Sequence, residues 1–226
     1  MCSASCASTH ETQAFQFLHV ITTEVDADFD RDGSLIALVR VEDPAKLAKV
    51  LPREALIGTT DSSATVQLTP YPAGDGRELP LHTESTFLID FDSESVRALR
   101  APMTDGSQPT IEDLVELTQE TIEPASDRGF DPASIVAAQK RGDCTEHAVL
   151  FGALARSAGY PTRIAIGVVI AEIEGGFQAF GHAWTEVMLD DRWQLVDPTP
   201  IEGAEAIAYL PAGYFEEEGP GWALAM

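Results

Sequence analysis

The chain contains the segment Arg141-Gly142-Asp143-Cys144-Thr145-Glu146-His147, and a mostly apolar run that reaches Gly159 follows it. Asp143 with Glu146 three residues later is the pattern of a capping box, which predicts that a helix begins at Cys144. Gly159 is a favourable residue just beyond a helix end, and Pro161 prevents the helix from continuing. Because most of this helix is apolar, we expect it to be the buried central helix of a domain.

Cys144 occupies the first position of this predicted helix. Unpaired backbone N–H groups and the positive end of the helix dipole favour a thiolate there. The neighbouring Asp143 and Glu146 oppose the negative charge, so an imidazolium partner is needed to complete the effect. A lone cysteine is more often a small buried apolar residue, and a nucleophilic role for Cys144 therefore depends on its partners downstream.

A predicted β-hairpin supplies two such partners. Strands predicted over residues 180–189 and 193–197 are joined at Asp190 and Asp191. If these two residues form the whole loop, His182 lies diagonally across from Asp197 on the same face, within reach of a hydrogen bond. A loop of odd length would place them on opposite faces. Cys144, His182 and Asp197 are thus a candidate nucleophile, base and orienting carboxylate for thiol-based acyl transfer.

Other roles for residues near Cys144 stay open at this point. His147 lies on the same helix face and is a competing base, although we favour a histidine that merely packs beside the site. Cys144 and His147 could also begin a zinc site with His182 and Asp197. For the oxyanion hole, the backbone N–H of Cys144 is one candidate donor, and the side chain of Gln139 is a weaker one.

The rest of the chain divides into a β-rich half and a mixed half. We predict a β-rich region over residues 1–100, either a truncated accessory domain or a substrate platform, and a catalytic domain over 101–226. Helices are predicted at 111–123 and 132–140. Strands are predicted in the first half from alternating apolar residues, at 15–20, 35–41, 64–68 and 85–91.

Asp28 to Gly33 copies the opening of a calcium-binding EF-hand loop. The acidic residue that such a loop needs at its twelfth position is absent, because Val39 stands there. The flanking residues also read as strands. We therefore interpret this segment as a hairpin turn and predict no bound calcium.

The charge is the unusual part of the composition. The 226-residue chain has 37 acidic and 14 basic residues and a formal net charge of -23, while its 44% hydrophobic content is ordinary for a globular protein. Such a surface repels nucleic acid and anionic membranes, so we expect neither as a partner. The same balance suggests adaptation to high salt, a hypothesis that a steep fall in stability between low and molar salt would contradict.

The remaining expectations concern cofactors and location. Cys2 and Cys6 are read as free thiols rather than as part of a disulfide framework, and no cofactor or metal is predicted. No apolar run of 18 residues and no signal-peptide pattern is visible, so a cytoplasmic location is the default expectation, unless the N-terminus is truncated. The sequence does not determine the oligomeric state.

The second half of the chain carries several motifs in a fixed order: Gly142-Asp143-Cys144, Leu154-Ala155-Arg156, Gly159-Tyr160-Pro161-Thr162-Arg163, His182-Ala183-Trp184-Thr185-Glu186-Val187, Trp193 and Asp197-Pro198-Thr199. With these motifs, residues 132–200 resemble the transglutaminase-like superfamily, particularly its microbial members. The resemblance implies a papain-like α+β fold, in which a central helix packs on an antiparallel sheet. It also implies that Cys144 is the nucleophile, His182 the general base and acid, and Asp197 its orienting partner.

The resulting functional expectation is acyl transfer from an amide or peptide carbonyl of a protein or peptide substrate, through a thioester. Water as the acceptor gives a protease or deamidase, and an amine gives a transglutaminase. We favour hydrolysis, since no lysine-accepting surface can be identified. Calcium activation is not carried over, because residues 1–100 do not match the accessory domains of the animal enzymes. The alternative is a non-catalytic binding or scaffold domain, which would typically lack one of the three residues.

Overall fold

The computed structural model describes residues 20–25, 33–41, 47, 51, 55–69, 78–103, 107–125, 129, 131–173 and 176–215. In these ranges the chain forms two four-stranded antiparallel sheets, a short parallel pair of strands and four α-helices. None of the described helices is long and apolar enough to cross a membrane. The elements in chain order are β1 (Val20–Val25), β2 (Leu35–Val41), β3 (Leu56–Thr59), β4 (Ser63–Leu68), α1 (Glu94–Arg100), α2 (Ile111–Thr121), β5 (Glu123–Pro124), α3 (Ala133–Gln139), β6 (Arg141–Gly142), α4 (Cys144–Ser157), β7 (Thr162–Ile173), β8 (Gly176–Leu189), β9 (Arg192–Val196) and β10 (Ala204–Tyr214).

The C-terminal sheet has the strand order β10-β7-β8-β9. β7 and β8 pair along their whole length, whereas β9 pairs only with Thr185 to Leu189 of β8. Asp190 and Asp191 form the predicted two-residue loop, and both have positive φ angles, of 50° and 61°. Two successive residues in this region are the signature of a type I′ turn, whose twist matches that of the flanking strands. The hairpin register predicted from the sequence is therefore confirmed.

Helix α4 lies at the centre of the main hydrophobic core. Leu150, Phe151 and Leu154 are fully buried and belong to one cluster with Ile164 of β7 and Val187 of β8. Buried residues of α2 and α3 complete that cluster. Burying side chains of this size contributes about 1.5–3 kcal/mol each, so a helix apolar on all sides is stable only in such a position. The predicted α+β fold, with a central helix packed on an antiparallel sheet, is confirmed.

The N-terminal sheet, with strand order β1-β2-β4-β3, packs on the same face of β7 as α4 does, but further along the strand. Leu35, Val39 and Val66 form a cluster with Val168 and Ile170 of β7, and Ala208 and Leu210 of β10 belong to the same cluster. The alternation of buried and exposed residues in β2 and β4 gives this sheet its single apolar face. The long strands β7 and β10 therefore link the two halves of the described chain.

On the opposite face of the C-terminal sheet, one cationic side chain contacts all three of the other strands. Arg163 of β7 forms a buried ion pair with Glu186 of β8, with 2.6 Å between Nη2 and Oε2. Its guanidinium lies over the rings of Trp193 in β9 and Tyr214 in β10, at 4.2 and 3.7 Å from the ring centroids. A planar, delocalised cation can ion-pair and stack at the same time, which lysine cannot do equally well.

One predicted strand is wrong. Residues 85–91 form turns rather than a strand, and the N–H of Ile89 is bound by the Thr86 hydroxyl. Leu88 and Ile89 are both buried although they are neighbours, which a strand with one apolar face does not allow. Residues 15–19 of the first predicted strand, and residues 28–32 of the EF-hand-like segment, lie outside the described residues. The division at residue 100 stays a prediction.

Gly167 in β7 provides a test of how this sheet is packed. A Cβ atom there would lie 2.1 Å from the carbonyl oxygen of Leu210 and 2.6 Å from Cη2 of Trp184. We expect Gly167→Ala to lower the free energy of unfolding by about 1–3 kcal/mol, because the neighbouring strand and the indole must both move. Urea unfolding followed by tryptophan fluorescence measures this loss.

Gly213 in β10 is the matched control, because a Cβ atom there meets nothing within 4 Å. Gly213→Ala should change the free energy of unfolding by less than about 0.5 kcal/mol. Equal effects of the two substitutions would show that the contact between Gly167 and Trp184 does not constrain the sheet.

Candidate active site

The N-terminus of α4 is fixed by the predicted capping box. Asp143 Oδ1 accepts a hydrogen bond from the N–H of Thr145 at 2.9 Å, and Glu146 Oε2 accepts one from the N–H of Asp143 at 2.9 Å. Glu146 is fully buried, and burial together with the charge of Asp143 raises its pKa to about 7. Gly142 is required beside it, since a Cβ atom there would lie 2.2 Å from Cβ of Glu146. Cys144 is thus the first residue of a well-anchored helix.

Cys144 lies where this helix meets the edge of β8. Cys144 is a free, partly exposed residue, and its thiol interacts with the side chain of His182 and with the backbone of Ala183. Burial raises the pKa of the Cys144 thiol, while these two interactions and the charge of His182 act in the opposite direction. The thiolate therefore depends on these two neighbours for its stability.

His182 is held by a buried carboxylate. His182 Nε2 lies 2.7 Å from Asp197 Oδ2, which leaves Nδ1 for Cys144. Burial opposes the charge on the imidazole, but Asp197 and Cys144 outweigh it and raise the pKa of His182 well above its usual value. Burial likewise opposes the charge on Asp197, yet His182 and further hydrogen bonds lower the pKa of this carboxyl. The pair is accordingly ionised near neutral pH.

The end of β9 brings the two residues together. The last pair of the hairpin is Thr185 with Val196, and Asp197 follows directly, outside the ladder. Pro198 has no N–H to extend the strand, and its carbonyl oxygen accepts a hydrogen bond from Gln119 of α2 at 3.2 Å. Asp197 can therefore turn towards His182 instead of continuing the sheet.

Tyr209 is a part of this site that the sequence did not predict. Its hydroxyl donates to Asp197 Oδ2 at 2.8 Å, and the N–H of Thr199 donates to Oδ1 at 2.9 Å. The Tyr209 ring also packs edge-on against Trp184, at 5.2 Å between centroids. No motif surrounds Tyr209 in the sequence. Its proximity to Asp197 depends on the register of β10 against β7, which brings Tyr209 opposite Val169.

The competing candidates occupy other positions. His147 Nδ1 donates to the carbonyl oxygen of Asp143 at 2.7 Å, and burial lowers the pKa of this histidine. Gln139 is exposed at the C-terminal end of α3, and no hydrogen bond within the described ranges orients its side chain towards Cys144. No three His, Cys, Asp or Glu side chains are arranged as metal ligands in the part of the chain that the structure describes. Trp184 and Trp193 are both buried core residues.

Comparison with known proteins gives one family match. Residues 97–198 match the sequence model of the transglutaminase-like superfamily. This part of the chain is similar to that superfamily. The match contains α4, His182 and Asp197 but ends before β10, so Tyr209 lies outside it. The resemblance inferred from the motifs is thereby confirmed over a longer segment than residues 132–200.

Several solved structures resemble the chain more distantly. A candidate cysteine protease from Cytophaga hutchinsonii has 14% identity and a TM-score of 0.48, with 66% of this chain and 55% of that chain covered. The periplasmic domain of TgpA from Pseudomonas aeruginosa has 15% identity and a TM-score of 0.47, with 78% and 74% covered. The arylamine N-acetyltransferase of Mycobacterium abscessus has 20% identity and a TM-score of 0.39, with 56% and 50% covered.

The match to the first of these structures spans just over half of its length. The search among curated proteins finds no significant relative. The superfamily assignment therefore rests on the family match and on the motifs within it.

Removal of the Tyr209 hydroxyl tests how the site holds its charges. We expect Tyr209→Phe to raise the pKa of Asp197, because the carboxylate loses a hydrogen-bond donor, and to raise the pKa of His182 further, because the hydroxyl no longer competes with His182 for Oδ2. The stability that charged His182 supplies is complete below about pH 6.5 and is lost as pH rises through the pKa of the folded state. In the variant this loss should begin at a higher pH.

The measurement is an NMR titration of the His182 side chain, combined with urea unfolding between pH 5 and 9. Tyr214→Phe is the control, because the Tyr214 hydroxyl contacts Glu186 at 3.4 Å rather than Asp197. An unchanged His182 titration in Tyr209→Phe would contradict a role for the hydroxyl in holding the pair.

Proposed function

We propose that the protein is a cysteine-dependent enzyme that transfers the acyl group of an amide or peptide carbonyl through a thioester intermediate, with water as the acceptor. Cys144 is the nucleophile, His182 the general acid and base, and Asp197 its orienting partner. The observation that carries the proposal is the buried hydrogen bond between Asp197 and His182, with the partly exposed Cys144 interacting with the same imidazole. A protein or peptide is the substrate.

In the first step, Cys144 is the thiolate of an ion pair in which His182 already holds the proton, and the sulfur attacks the carbonyl carbon. The backbone N–H of Cys144, at the start of α4, is the proposed donor to the oxyanion, since the first N–H groups of a helix have no partner within it. His182 then donates its proton to the departing nitrogen. The carbon–nitrogen bond breaks, an amine or ammonia leaves, and the acyl group stays on sulfur as a thioester.

In the second step, neutral His182 takes a proton from water while the water oxygen attacks the thioester carbon. The carbon–sulfur bond breaks and the acyl group leaves as a carboxylic acid. Asp197 keeps the imidazole in one tautomer and orientation throughout and stabilises its charged form, as a carboxylate does in other triads. A primary amine in place of water would give transamidation, with the same residues in the same roles.

The defining experiment incubates the protein with a glutamine-containing peptide library, with and without a primary amine, and reads the products by mass spectrometry. Hydrolysis of a side-chain amide, amine incorporation and backbone cleavage give three different mass changes. We expect hydrolytic products that Cys144→Ala reduces at least ~10³-fold. Asp197→Asn should cause a smaller loss than Cys144→Ala, of roughly 10⁴-fold against roughly 10⁶-fold, because the nucleophile and base remain.

Alkylation by iodoacetamide near neutral pH tests the nucleophile without any substrate. The Cys2→Ser and Cys6→Ser background leaves Cys144 as the only cysteine of the three in the chain. We expect Cys144 to react faster than an ordinary thiol, and His182→Ala to slow it. If Cys144 reacts no faster than an ordinary thiol and His182→Ala does not change its rate, the result would instead favour a non-catalytic domain of the same fold.

A further inference from the structure

We propose that a peptide substrate binds as an additional β-strand along the open edge of β8, from residue 179 to residue 183, with its reactive carbonyl at Cys144. This inference rests on the proposed function and extends it to the conformation of the substrate. The occupant is an extended peptide segment of a protein or a short peptide.

Among the strands that the structure describes, none pairs with this edge of β8, because β9 is short. β8 pairs with β7 from Gly176 to Val187, whereas β9 covers only Thr185 to Leu189 on the other side. In the described chain, no strand flanks β8 on that side from residue 176 to residue 184. The strand becomes steadily more buried along this edge, from exposed Gln178 and Ala179 to buried His182 and Ala183. The open edge thus runs from the surface directly into the site.

The hydrogen-bonding phase of β8 follows from its pairing with the residue that precedes β7. The N–H of Met188 donates to the carbonyl oxygen of Pro161 at 2.9 Å, so Met188 directs its backbone groups towards β7, and Ala183, an odd number of residues away, directs its groups to the other side. In an antiparallel pair, successive residues direct their N–H and C=O groups to opposite sides. The register against β7 is regular, so Gly181 and Ala179 also direct both groups to the open side. A strand placed there would meet two residues ready to pair, immediately beside Cys144.

The composition of this edge is unlike that of a protected edge strand. Natural edge strands are commonly blocked by charged side chains or proline, which prevent pairing with another chain. Residues 176–184 contain no Asp, Glu, Lys, Arg or Pro, although the whole chain has 37 acidic residues. Ala179, Gly181 and Ala183, which share one face, carry nothing larger than a methyl group. The face formed by Ala179, Gly181 and Ala183 is therefore free of both charge and bulk where a peptide would approach the thiol.

The experiment compares electrophiles that carry different backbones, in the variant whose only cysteine is Cys144. The probes are iodoacetamide, a chloroacetyl-capped hexapeptide of alternating Val and Gln, and two N-methylated versions of that peptide. One version is methylated at its odd positions and the other at its even positions. We expect only one version to react more slowly than the parent peptide, by about tenfold for two lost backbone hydrogen bonds. A reaction rate that falls when one set of alternate positions is methylated, but not when the other set is, is the signature of strand pairing.

A substitution in the protein provides the second measurement. Ala179→Pro removes only an N–H on the open side, so the peptide rate relative to the iodoacetamide rate should fall about three- to tenfold. Gln178→Ala is the control, because its backbone groups face β7, and that ratio should stay within about twofold. Circular dichroism checks that Ala179→Pro still folds. If Ala179→Pro does not fold, the methylated peptides alone test the strand-pairing inference.

Equal reaction of all three peptides would overturn the inference, and so would equal slowing of both methylated versions. If the protein is a dimer, and Ala179→Pro abolishes the dimer without changing the peptide rates, the edge binds a second copy of the chain. That result would also overturn the inference. If iodoacetamide itself reacts no faster than with an ordinary thiol, the proposed function fails. Fast iodoacetamide reaction without peptide selectivity is a failure of the strand-pairing inference alone.

Discussion

The hydrogen bond between His182 and Asp197 is the interaction on which the arrangement of the site depends. Both side chains are almost completely inaccessible to solvent, and removing one partner would leave a buried group without compensation, a loss of about 3–5 kcal/mol in comparable pairs. The bond forms only if the β8–β9 hairpin has its two-residue loop and if β9 ends at Val196. The shape of the sheet and the ionisation of the site are therefore determined by the same few residues.

Cys144 is placed by a different set of constraints, which act through the backbone. The short strands β5 and β6 pair in parallel and fix the approach to α4, with the N–H of Ala125 bound to the carbonyl oxygen of Gly142 at 2.8 Å. The capping box then fixes the first turn. Because the helix begins at the edge of β8 where β9 has ended, the sulfur can contact His182 and the backbone of Ala183 together. Because β9 ends early, the Asp197 carboxylate and the Cys144 sulfur can both reach His182.

Features encoded by neighbouring residues were predictable from the sequence. The capping box, the end of α4 at Ser157 before Gly159, and the two-residue loop each depend on a few adjacent positions with strong conformational preferences. Tyr209 was not predictable, because its contact with Asp197 depends on pairing between strands far apart in sequence. Residues 85–91 misled the alternation argument, since Thr86 binds the backbone of its own segment and creates turns. The predicted contacts were those that a motif or a short hairpin specifies, whereas the contact of Tyr209 depends on the register of two strands that no motif marks.

The segment that matches the superfamily is not the same as the segment that completes its core. Val168 and Ile170 lie within residues 97–198, yet they are covered by side chains of β2, β4 and β10, which lie outside that range. Excision of residues 97–198 would place these two side chains in water and remove the Tyr209 hydroxyl from Asp197. Boundaries drawn around the shared motifs would therefore cut through a packed hydrophobic cluster, which stays whole only in a fragment that extends from β2 to the end of β10.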